Sequence, residues 1–390
     1  MSSTDLKHLL KSADELRKKG KINEAIALYK QVKELGCDYP VKVDINLGDM
    51  LLHHGNIDEA IELYQRLIKN DKDIRVGLCM KVGDTLFEKG RWKESLIFYQ
   101  KISDKNLRRT PWIKVRNALL RVQDEEKAYE SYLNYIQKYY VVNHLNKVVY
   151  CAIPKNGCTF FKSVMLEYMD SIDNYNELGD HIHSYICNNF TLGCREDEHS
   201  LKDIYKENDY FCFTILRNPL SRLVSGYLSK FMSKHPSERY QKVIDEVYQS
   251  EGLSDNTKQS ITFSQFVHHL TRTEDYNLDP HWRPQHTFLG EDKIKFDFIG
   301  RLEDMETVAQ VLSKKTNIDI SGKLERNKTD YKNFALEEKF HDYYPYQLRK
   351  LEQFPKTSHF YTPELEAIVR VRYAKDIEMY ERQFQVPVSL

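Results

Sequence analysis

The sequence has few cysteines, no excess of charge and no long apolar run. Its 390 residues include seven cysteines, an odd number without a C-x-x-C pair, so no disulfide framework is indicated. Lysine and arginine total 58, as do aspartate and glutamate, so no global field draws the chain to nucleic acid or to an anionic membrane. No apolar stretch of about 18 residues occurs, so no membrane span is expected. Any anion site must therefore be local.

Residues 1 to about 110 repeat with a period of 35 residues. Three glycines and three tyrosines keep this spacing: Gly20, Gly55, Gly90, Tyr29, Tyr64 and Tyr99. The period is typical of tetratricopeptide repeats, which are helix-turn-helix units of about 34 residues. Because a terminal repeat cannot bury its apolar face alone, residues 112–140 are expected to add one or two capping helices. The sequence predicts an all-α solenoid over residues 1–140, which either binds a peptide partner or serves only as a scaffold.

The segment 147–169 predicts a strand, a tight loop and a helix. Residues 147–153 are apolar after Lys147 and include β-branched and aromatic types, which indicates a buried strand that ends at Pro154. Apolar residues at helical spacing follow Thr159. Backbone N–H groups and the positive end of the helix dipole would point at the loop, and Lys155 adds a full charge. The loop is therefore a candidate anion site, although it lacks the spacing of a Walker P-loop.

A second strand-loop-helix unit follows at residues 210–227. Residues 210–216 form another buried apolar run, and Arg217 stands at its end. Asn218 suits the N-cap of a helix and Pro219 suits its first position, with Ser225 two turns further on. Two cationic units of this kind suit a ligand that carries phosphates at both ends.

These two segments resemble the nucleotide motifs of PAPS-dependent sulfotransferases, where PAPS is phosphoadenosine phosphosulfate. Residues 154–159, P-K-N-G-C-T, look like the 5′-phosphosulfate loop, and residues 217–227 resemble the 3′-phosphate motif RDPxxRLxSxY. The chain is most similar to the carbohydrate sulfotransferases of the HNK-1 and chondroitin type. Further segments agree in order: His281-Trp282, 296–303, 327–329 and 361–376. The resemblance covers about residues 145–383.

The resemblance implies an α/β, P-loop-like domain over residues 145–390, with a central parallel sheet and the ligand outside the strand ends. It implies PAPS as donor, PAP as product and no metal. It assigns the cofactor to ten residues: Pro154, Lys155, Asn156, Gly157, Cys158, Thr159, Arg217, Ser225, Asn327 and Lys328. The planar fork of arginine suits the 3′-phosphate, whereas Lys155 is placed to meet charge on the bridging oxygen. Residues 326–328 are either a loop over the nucleotide or a solvated basic turn.

A general base is also needed, and two histidines are candidates. The uronyl 2-O-sulfotransferase branch carries a His-x-His between its phosphate motifs and uses the second histidine, which corresponds here to His183. His281 is the histidine of the family's His-Trp segment. A carboxylate or another histidine is the alternative to both. The alternative role for each of the two is that of a structural, hydrogen-bonding histidine.

The sequence therefore predicts a cytoplasmic PAPS-dependent O-sulfotransferase, with carbohydrate as the favoured acceptor and lipid or peptide hydroxyls left open. The first residues lack an apolar signal region, and Leu289 and Asp292 stand where the family usually has two cysteines, which fits a reducing compartment. An NTP-dependent kinase is one alternative, disfavoured because the G-K-S/T sequence and an acidic Mg²⁺ strand end are missing. A repeat-based adaptor with a degenerate nucleotide site is the other. The joint presence of Lys155, Arg217 and Ser225 argues against it.

Overall fold

A computed structural model gives the architecture of the chain. It describes residues 3–34, 41–70, 75–103, 111–169, 185–186, 190–192, 200–201, 203–204, 209–233, 235–253, 260–291, 293–323, 338–351 and 355–390. The chain divides into two compact units, Met1–Ser131 and Tyr132–Leu390. The division falls earlier in the chain than the predicted boundary between residues 140 and 145.

The first unit is built from successive helical hairpins. Its helices are α1 (Ser3–Lys18), α2 (Ile22–Glu34), α3 (Val41–His53), α4 (Ile57–Asn70), α5 (Arg75–Glu88), α6 (Trp92–Ser103), α7 (Trp112–Arg121) and the start of α8 (Glu125–Ile136). The repeated glycines Gly20, Gly55 and Gly90 form the hairpin turns with φ angles of 74°, 95° and 75°. Glycine adopts this left-handed conformation without a Cβ penalty. The predicted helical repeat and its capping helices are therefore confirmed.

Each repeat is held together by a buried tyrosine that bonds to an aspartate. The hydroxyl of Tyr64 donates to Asp49 Oδ1 at 2.6 Å, and that of Tyr99 donates to Asp84 Oδ1 at 2.8 Å. The tyrosine ring also lies against the small residue of the same repeat. A Cβ on Gly83 would stand only 2.5 Å from a Tyr99 ring carbon. Burial of the ring therefore depends on a glycine at this position.

We expect Gly83→Ala to destabilise the repeat unit by roughly 1–3 kcal/mol, because the added methyl overlaps the buried Tyr99 ring. Gly77→Ala on the same helix is the matched control, since a Cβ there meets nothing within 4 Å. The control should leave stability unchanged or raise it by up to about 1 kcal/mol through helix propensity. Urea unfolding of the full chain, followed by far-ultraviolet circular dichroism, measures both. Equal midpoints for the two variants would contradict the packing described here.

The second unit contains a four-stranded sheet in the order β1-β2-β3-β4. Its strands are β1 (Tyr140–Asn143), β2 (Val148–Cys151), β3 (Phe211–Leu216) and β4 (Phe298–Arg301). The strands β2, β3 and β4 are parallel, as predicted, whereas β1 pairs antiparallel with β2. The sequence did not predict β1, because four residues that are all buried show no alternation. The sheet is therefore mixed rather than wholly parallel.

Helices surround this sheet in the second unit. They are α9 (Cys158–Glu167), α10 (Pro219–Phe231), α11 (Glu238–Glu251), α12 (Phe263–Leu270), α13 (Met305–Lys315), α14 (Pro345–Leu348), α15 (Pro363–Arg372) and α16 (Ala374–Phe384). The single helix predicted over residues 363–383 is thus two helices with Tyr373 between them, where φ is −111° and ψ is 25°. Short 3₁₀ turns occur at Gln137–Tyr139, Asp275–Asn277, Gln285–Phe288 and Thr357–Phe360. None of the helices that the structure describes has the length and apolar character needed to cross a bilayer.

An aromatic cluster anchors the segment 279–283 beside α10. Trp282 is 2% exposed and stacks on Phe231 with ring centroids 5.8 Å apart. Phe266 of α12 meets the same indole edge-on at 5.2 Å. The Tyr373 hydroxyl donates to the Trp282 carbonyl at 2.5 Å. Since Trp282 is held from several sides, its neighbour His281 has a defined position.

Candidate functional site

The two predicted anion loops lie at the same edge of the sheet. Residues 154–159 follow β2 and Arg217 follows β3, and these two strands are parallel neighbours. The carboxyl ends of parallel neighbours face the same side, which is where open α/β sheets bind ligands. The structure therefore brings together the two segments that the sequence singled out.

The first loop turns sharply into α9. Both Lys155 and Gly157 have left-handed φ angles, 72° and 74°. Gly157 is the N-cap of α9, so no side chain at that position accepts from the first-turn N–H groups. A Cβ there would also stand 3.0 Å from Leu302. Those N–H groups and the helix dipole favour a phosphate at this point. Pro154 and Cys158 are half-buried within this turn, and Thr159 is exposed in the first turn of the helix.

A buried amide pair connects the two loops. Asn156 is 0% exposed, and its Nδ2 donates to the Ile215 carbonyl at 2.7 Å and to Gln285 Oε1 at 2.5 Å. Gln285 Oε1 also accepts from the Arg217 backbone N–H at 3.0 Å, while its Nε2 donates to the Arg217 carbonyl at 2.9 Å. The Asn156 side chain thus fixes the geometry of both loops. Its buried Oδ1 has no hydrogen-bond partner among the described residues.

Arg222 fastens the first loop to α10. Its guanidinium is 2% exposed and donates to three carbonyls: those of Pro154 at 3.0 Å, Arg283 at 2.7 Å and Pro280 at 3.0 Å. Burial lowers the pKa of Arg222 to about 10, so it keeps its charge at neutral pH. The three bonds run in different directions, which suits the rigid fork of arginine. Arg222 is therefore a fixed positive charge beneath the loop.

Arg217 is the residue just before the N-cap of α10. The Asn218 side chain caps this helix by accepting from the Leu220 and Ser221 N–H groups. Arg217 Nη1 donates to the Lys155 carbonyl at 3.1 Å, and its Nε donates to Ser221 Oγ at 3.1 Å. Ser225 is half-buried four residues after Ser221, so the two hydroxyls share one face of the helix. Arginine and hydroxyl groups on one face suit the 3′-phosphate role predicted for Arg217 and Ser225.

The ammonium group of Lys155 loses its proton more easily than that of an exposed lysine, because its pKa is lowered. Burial lowers the pKa of Lys155 to about 8, and the charges of Lys230, Arg217 and Arg222 act in the same direction. The lysine is still mostly protonated at neutral pH. An anion at this point would relieve the repulsion between these cations.

His281 and Asp279 form a hydrogen-bonded pair on the anchored segment. His281 Nδ1 lies 2.5 Å from Asp279 Oδ1, and the same oxygen accepts from the His281 backbone N–H at 2.9 Å. Arg239 Nε lies 2.8 Å from the other oxygen, Oδ2. Burial tends to raise the pKa of Asp279, but the bonds from His281 outweigh it and the pKa is lowered. Because the ionised carboxylate accepts from Nδ1, the neutral imidazole carries its lone pair on Nε2.

The environment of His281 favours its neutral form. Burial lowers its pKa, Asp279 opposes this, and the charges of Lys230 and Lys155 lower it further. The helix α10 also approaches this segment closely, since a Cβ on Gly226 would stand 3.0 Å from the His281 carbonyl oxygen. Two of the three residues predicted to be catalytic, Lys155 and His281, thus lie close enough to influence one another.

Three predicted site residues cannot be placed. His183, Asn327 and Lys328 lie outside the described residues, and their roles stay predictions. In the part of the chain that the structure describes, no group of His, Cys, Asp and Glu side chains could hold a metal ion. The expectation of metal-free chemistry also stays a prediction.

The sequence did not single out Asp279, Gln285 or Lys230. The sequence contains a clue to Asp279, because an aspartate often accepts a hydrogen bond from the backbone N–H two residues later, as Asp279 does here from His281. It also contains a clue to Lys230, since this residue stands four residues after Gly226 and eight after Arg222 on one helix. It contains none to Gln285, because the role of Gln285 depends on two loops that are distant in sequence.

Comparison with known proteins identifies the family of this chain. A family model described as the sulfotransferase family matches residues 138–384. Human (Homo sapiens) carbohydrate sulfotransferase 14 is 28% identical over 180 residues, which is 45% of this chain and 46% of that protein. Carbohydrate sulfotransferase 12 of Mus musculus is 25% identical over 230 residues, or 52% and 54% of the two chains. The chain spans about half the length of the curated relatives it matches.

Among solved structures, MamA AMB-1 aligns with 52% of this chain and 97% of its own, at 16% identity and a TM-score of 0.26. That score is too low to carry an argument about this chain. The repeat fold of the first unit depends instead on the hairpins and turn glycines described above.

Proposed function

The chain belongs to the sulfotransferase family, and from this premise we propose that it transfers the sulfuryl group of PAPS to a hydroxyl of a carbohydrate. The family supports PAPS as the donor, and the names of the relatives support a carbohydrate acceptor. One observation carries the proposal: two cationic helix starts lie at adjacent strand ends and are joined through Asn156 and Gln285. Such an arrangement suits a ligand that carries phosphates at both ends.

The residues present fit PAPS. The uncapped start of α9 with Lys155 suits the 5′-phosphosulfate, and Arg217 with Ser225 suits the 3′-phosphate. When bound, PAPS supplies a sulfuryl group whose bond to the phosphate oxygen breaks, which leaves the electron pair on that oxygen. We expect the charge of Lys155 to stabilise this oxygen. Sulfuryl transfer otherwise depends mainly on positioning.

We assign the general base to His281. Its Nε2 takes the proton of the acceptor hydroxyl, and Asp279 stabilises the imidazolium that results. The lowered pKa of His281 favours the neutral imidazole, which is the form that accepts a proton. His183 is the competing candidate, and a variant at each position separates them, as set out in the Discussion. The cytoplasmic location, a partner for the repeats and the oligomeric state stay predictions or open questions from the sequence.

We expect PAP to stabilise the protein without Mg²⁺. A ligand at a hundred times its dissociation constant adds about 2.7 kcal/mol to the free energy of unfolding. Thermal melts of the full chain in EDTA with PAP, ATP or GTP measure this, and the same melts with Mg²⁺ complete the comparison. A shift with ATP that requires Mg²⁺, and none with PAP, would instead support the kinase alternative. Transfer from PAPS to oligosaccharides, with lipid and peptide hydroxyls as comparators, then tests the acceptor class.

A further inference from the structure

One face of α10 is turned toward both the loop and the His281 segment. Arg222, Gly226 and Lys230 are spaced four residues apart, so they follow one another along the same side of the helix. Arg222 donates to the Pro154 and Pro280 carbonyls, and Gly226 lies against the His281 carbonyl. Lys230 is the next residue in this row. Lys230 therefore lies about one helical turn beyond Gly226 on the face of α10 that contacts the loop and the His281 segment.

An aromatic contact locates the ammonium group of Lys230. Its ammonium nitrogen lies 5.4 Å from the centroid of the Tyr240 ring. Tyr240 in turn lies 5.9 Å from Trp282, the neighbour of His281. Among the described residues, no carboxylate forms an ion pair with Lys230. Asp279 is already paired with His281 and Arg239. Lys230 is thus a cation beside the candidate base that lacks an ionic partner within the described chain.

The electrostatics agree with this placement. The charge of Lys230 contributes, after burial, to the lowered pKa values of both Lys155 and His281. Only a charge near both groups acts on both. In the proposed function Lys155 serves the leaving oxygen and His281 serves the accepting hydroxyl, so the transferred group would pass near both residues and near Lys230.

We propose that Lys230 binds the sulfonate oxygens of PAPS, as a second cation beside Lys155. This inference rests on the proposed function and names a further residue of that site. In the proposed function the nucleotide phosphates have other partners, namely Arg217 and the first turn of α9. The face of α10 that carries Ser221 and Ser225 is also offset from the face that carries Lys230. Lys230 is therefore the cation that we pair with the sulfonate, which is the transferred group.

The test compares PAPS with PAP on the Lys230→Met variant. Both ligands carry about two negative charges at the 5′ end at pH 7.5, because the terminal phosphate of PAP has a second pKa of about 6. Only PAPS carries the sulfonate. We therefore expect Lys230→Met to weaken PAPS binding by about tenfold or more and to leave PAP binding within about twofold, as measured by calorimetry without acceptor.

Two variants serve as controls. Lys242→Met removes a lysine of α11 that lies 3.9 Å from Glu246, and it should change neither affinity. Lys230→Arg keeps the charge and should retain most of the preference for PAPS. An unchanged melting temperature of the unliganded Lys230→Met protein shows that the variant is folded.

The outcomes separate the inference from the proposed function. If wild type binds both ligands and Lys230→Met weakens both equally, Lys230 serves a phosphate and the inference is wrong. If the variant binds both like wild type, Lys230 faces the acceptor or solvent, and the inference is again wrong. If wild type binds neither ligand, the proposed function itself fails and the inference falls with it.

Discussion

Replacing Lys155 by methionine should lower single-turnover sulfation by about 10²- to 10³-fold. The lysine is proposed to act on charge that develops only as the S–O bond breaks, so its loss raises the barrier more than it weakens ground-state binding. Lys155 is half-buried beside the start of α9, so water screens its charge less than it would at an exposed position. Quenched single-turnover assays with PAPS measure the rate. Calorimetry with PAP measures the binding that should change little.

Arg217→Ala is the comparison for this prediction. Arg217 is proposed to hold a phosphate that does not react, so its removal should weaken PAP and PAPS alike, by roughly 2 kcal/mol or more. If Lys155→Met weakens PAP as strongly as Arg217→Ala does, then Lys155 is only a phosphate ligand. The assignment of Lys155 to the leaving oxygen would then be wrong.

Replacing His281 by alanine should lower turnover by about 10²- to 10⁴-fold and leave nucleotide affinity near that of wild type. The reason is the pair with Asp279, which orients the ring and leaves Nε2 as the proton acceptor. His269→Ala is the matched control, because His269 also adjoins a carboxylate, Glu246, at 3.8 Å, but on α12. The control should keep most of the turnover.

The pH dependence of kcat/KM gives a second readout of the same pair. His281 must be neutral, and its pKa is lowered, so the rate should rise with pH through a limb below about 6.5. Lys155 must be protonated, so the rate should fall again through a limb near its pKa of about 8. In His281→Ala the acid limb should disappear while the alkaline limb stays. An acid limb that survives in this variant would show that another group is the base.

The variant His183→Ala decides between the two candidate bases. Should it abolish turnover while His281→Ala keeps most of it, the base is His183, which lies outside the described residues. If both variants remain active, neither histidine is the base, and a carboxylate must be sought.

The local parts of the site could be predicted because their signals are local. The run that ends at Pro154, the loop around Gly157 and the Asn218-Pro219 helix start each depend on a few adjacent residues. The hydrogen bond from Asn156 to Gln285 joins residues 129 positions apart, so no short sequence pattern predicts it. Tyr373 interrupts the last helical segment although its flanks have helical periodicity, because its side chain is directed to Trp282.

The repeats contain a further periodic pattern, formed by acidic residues. The period of the glycines and tyrosines predicted the hairpins of the first unit. Asp14, Asp49 and Asp84 keep the same period, and each accepts from the tyrosine of its own repeat. A buried tyrosine hydroxyl needs a partner, so an acidic residue in phase could have been sought from the sequence.

The most direct test of the central claim is transfer of a radiolabelled sulfuryl group from PAPS to a mixture of oligosaccharides in EDTA. Wild type and Lys155→Met are measured side by side with the full chain. Wild type is expected to label the glycan fraction, and the variant is expected to label it about 10²- to 10³-fold more slowly. Labelling by the variant at the wild-type rate, or release of PAP by neither protein with any acceptor, would contradict it.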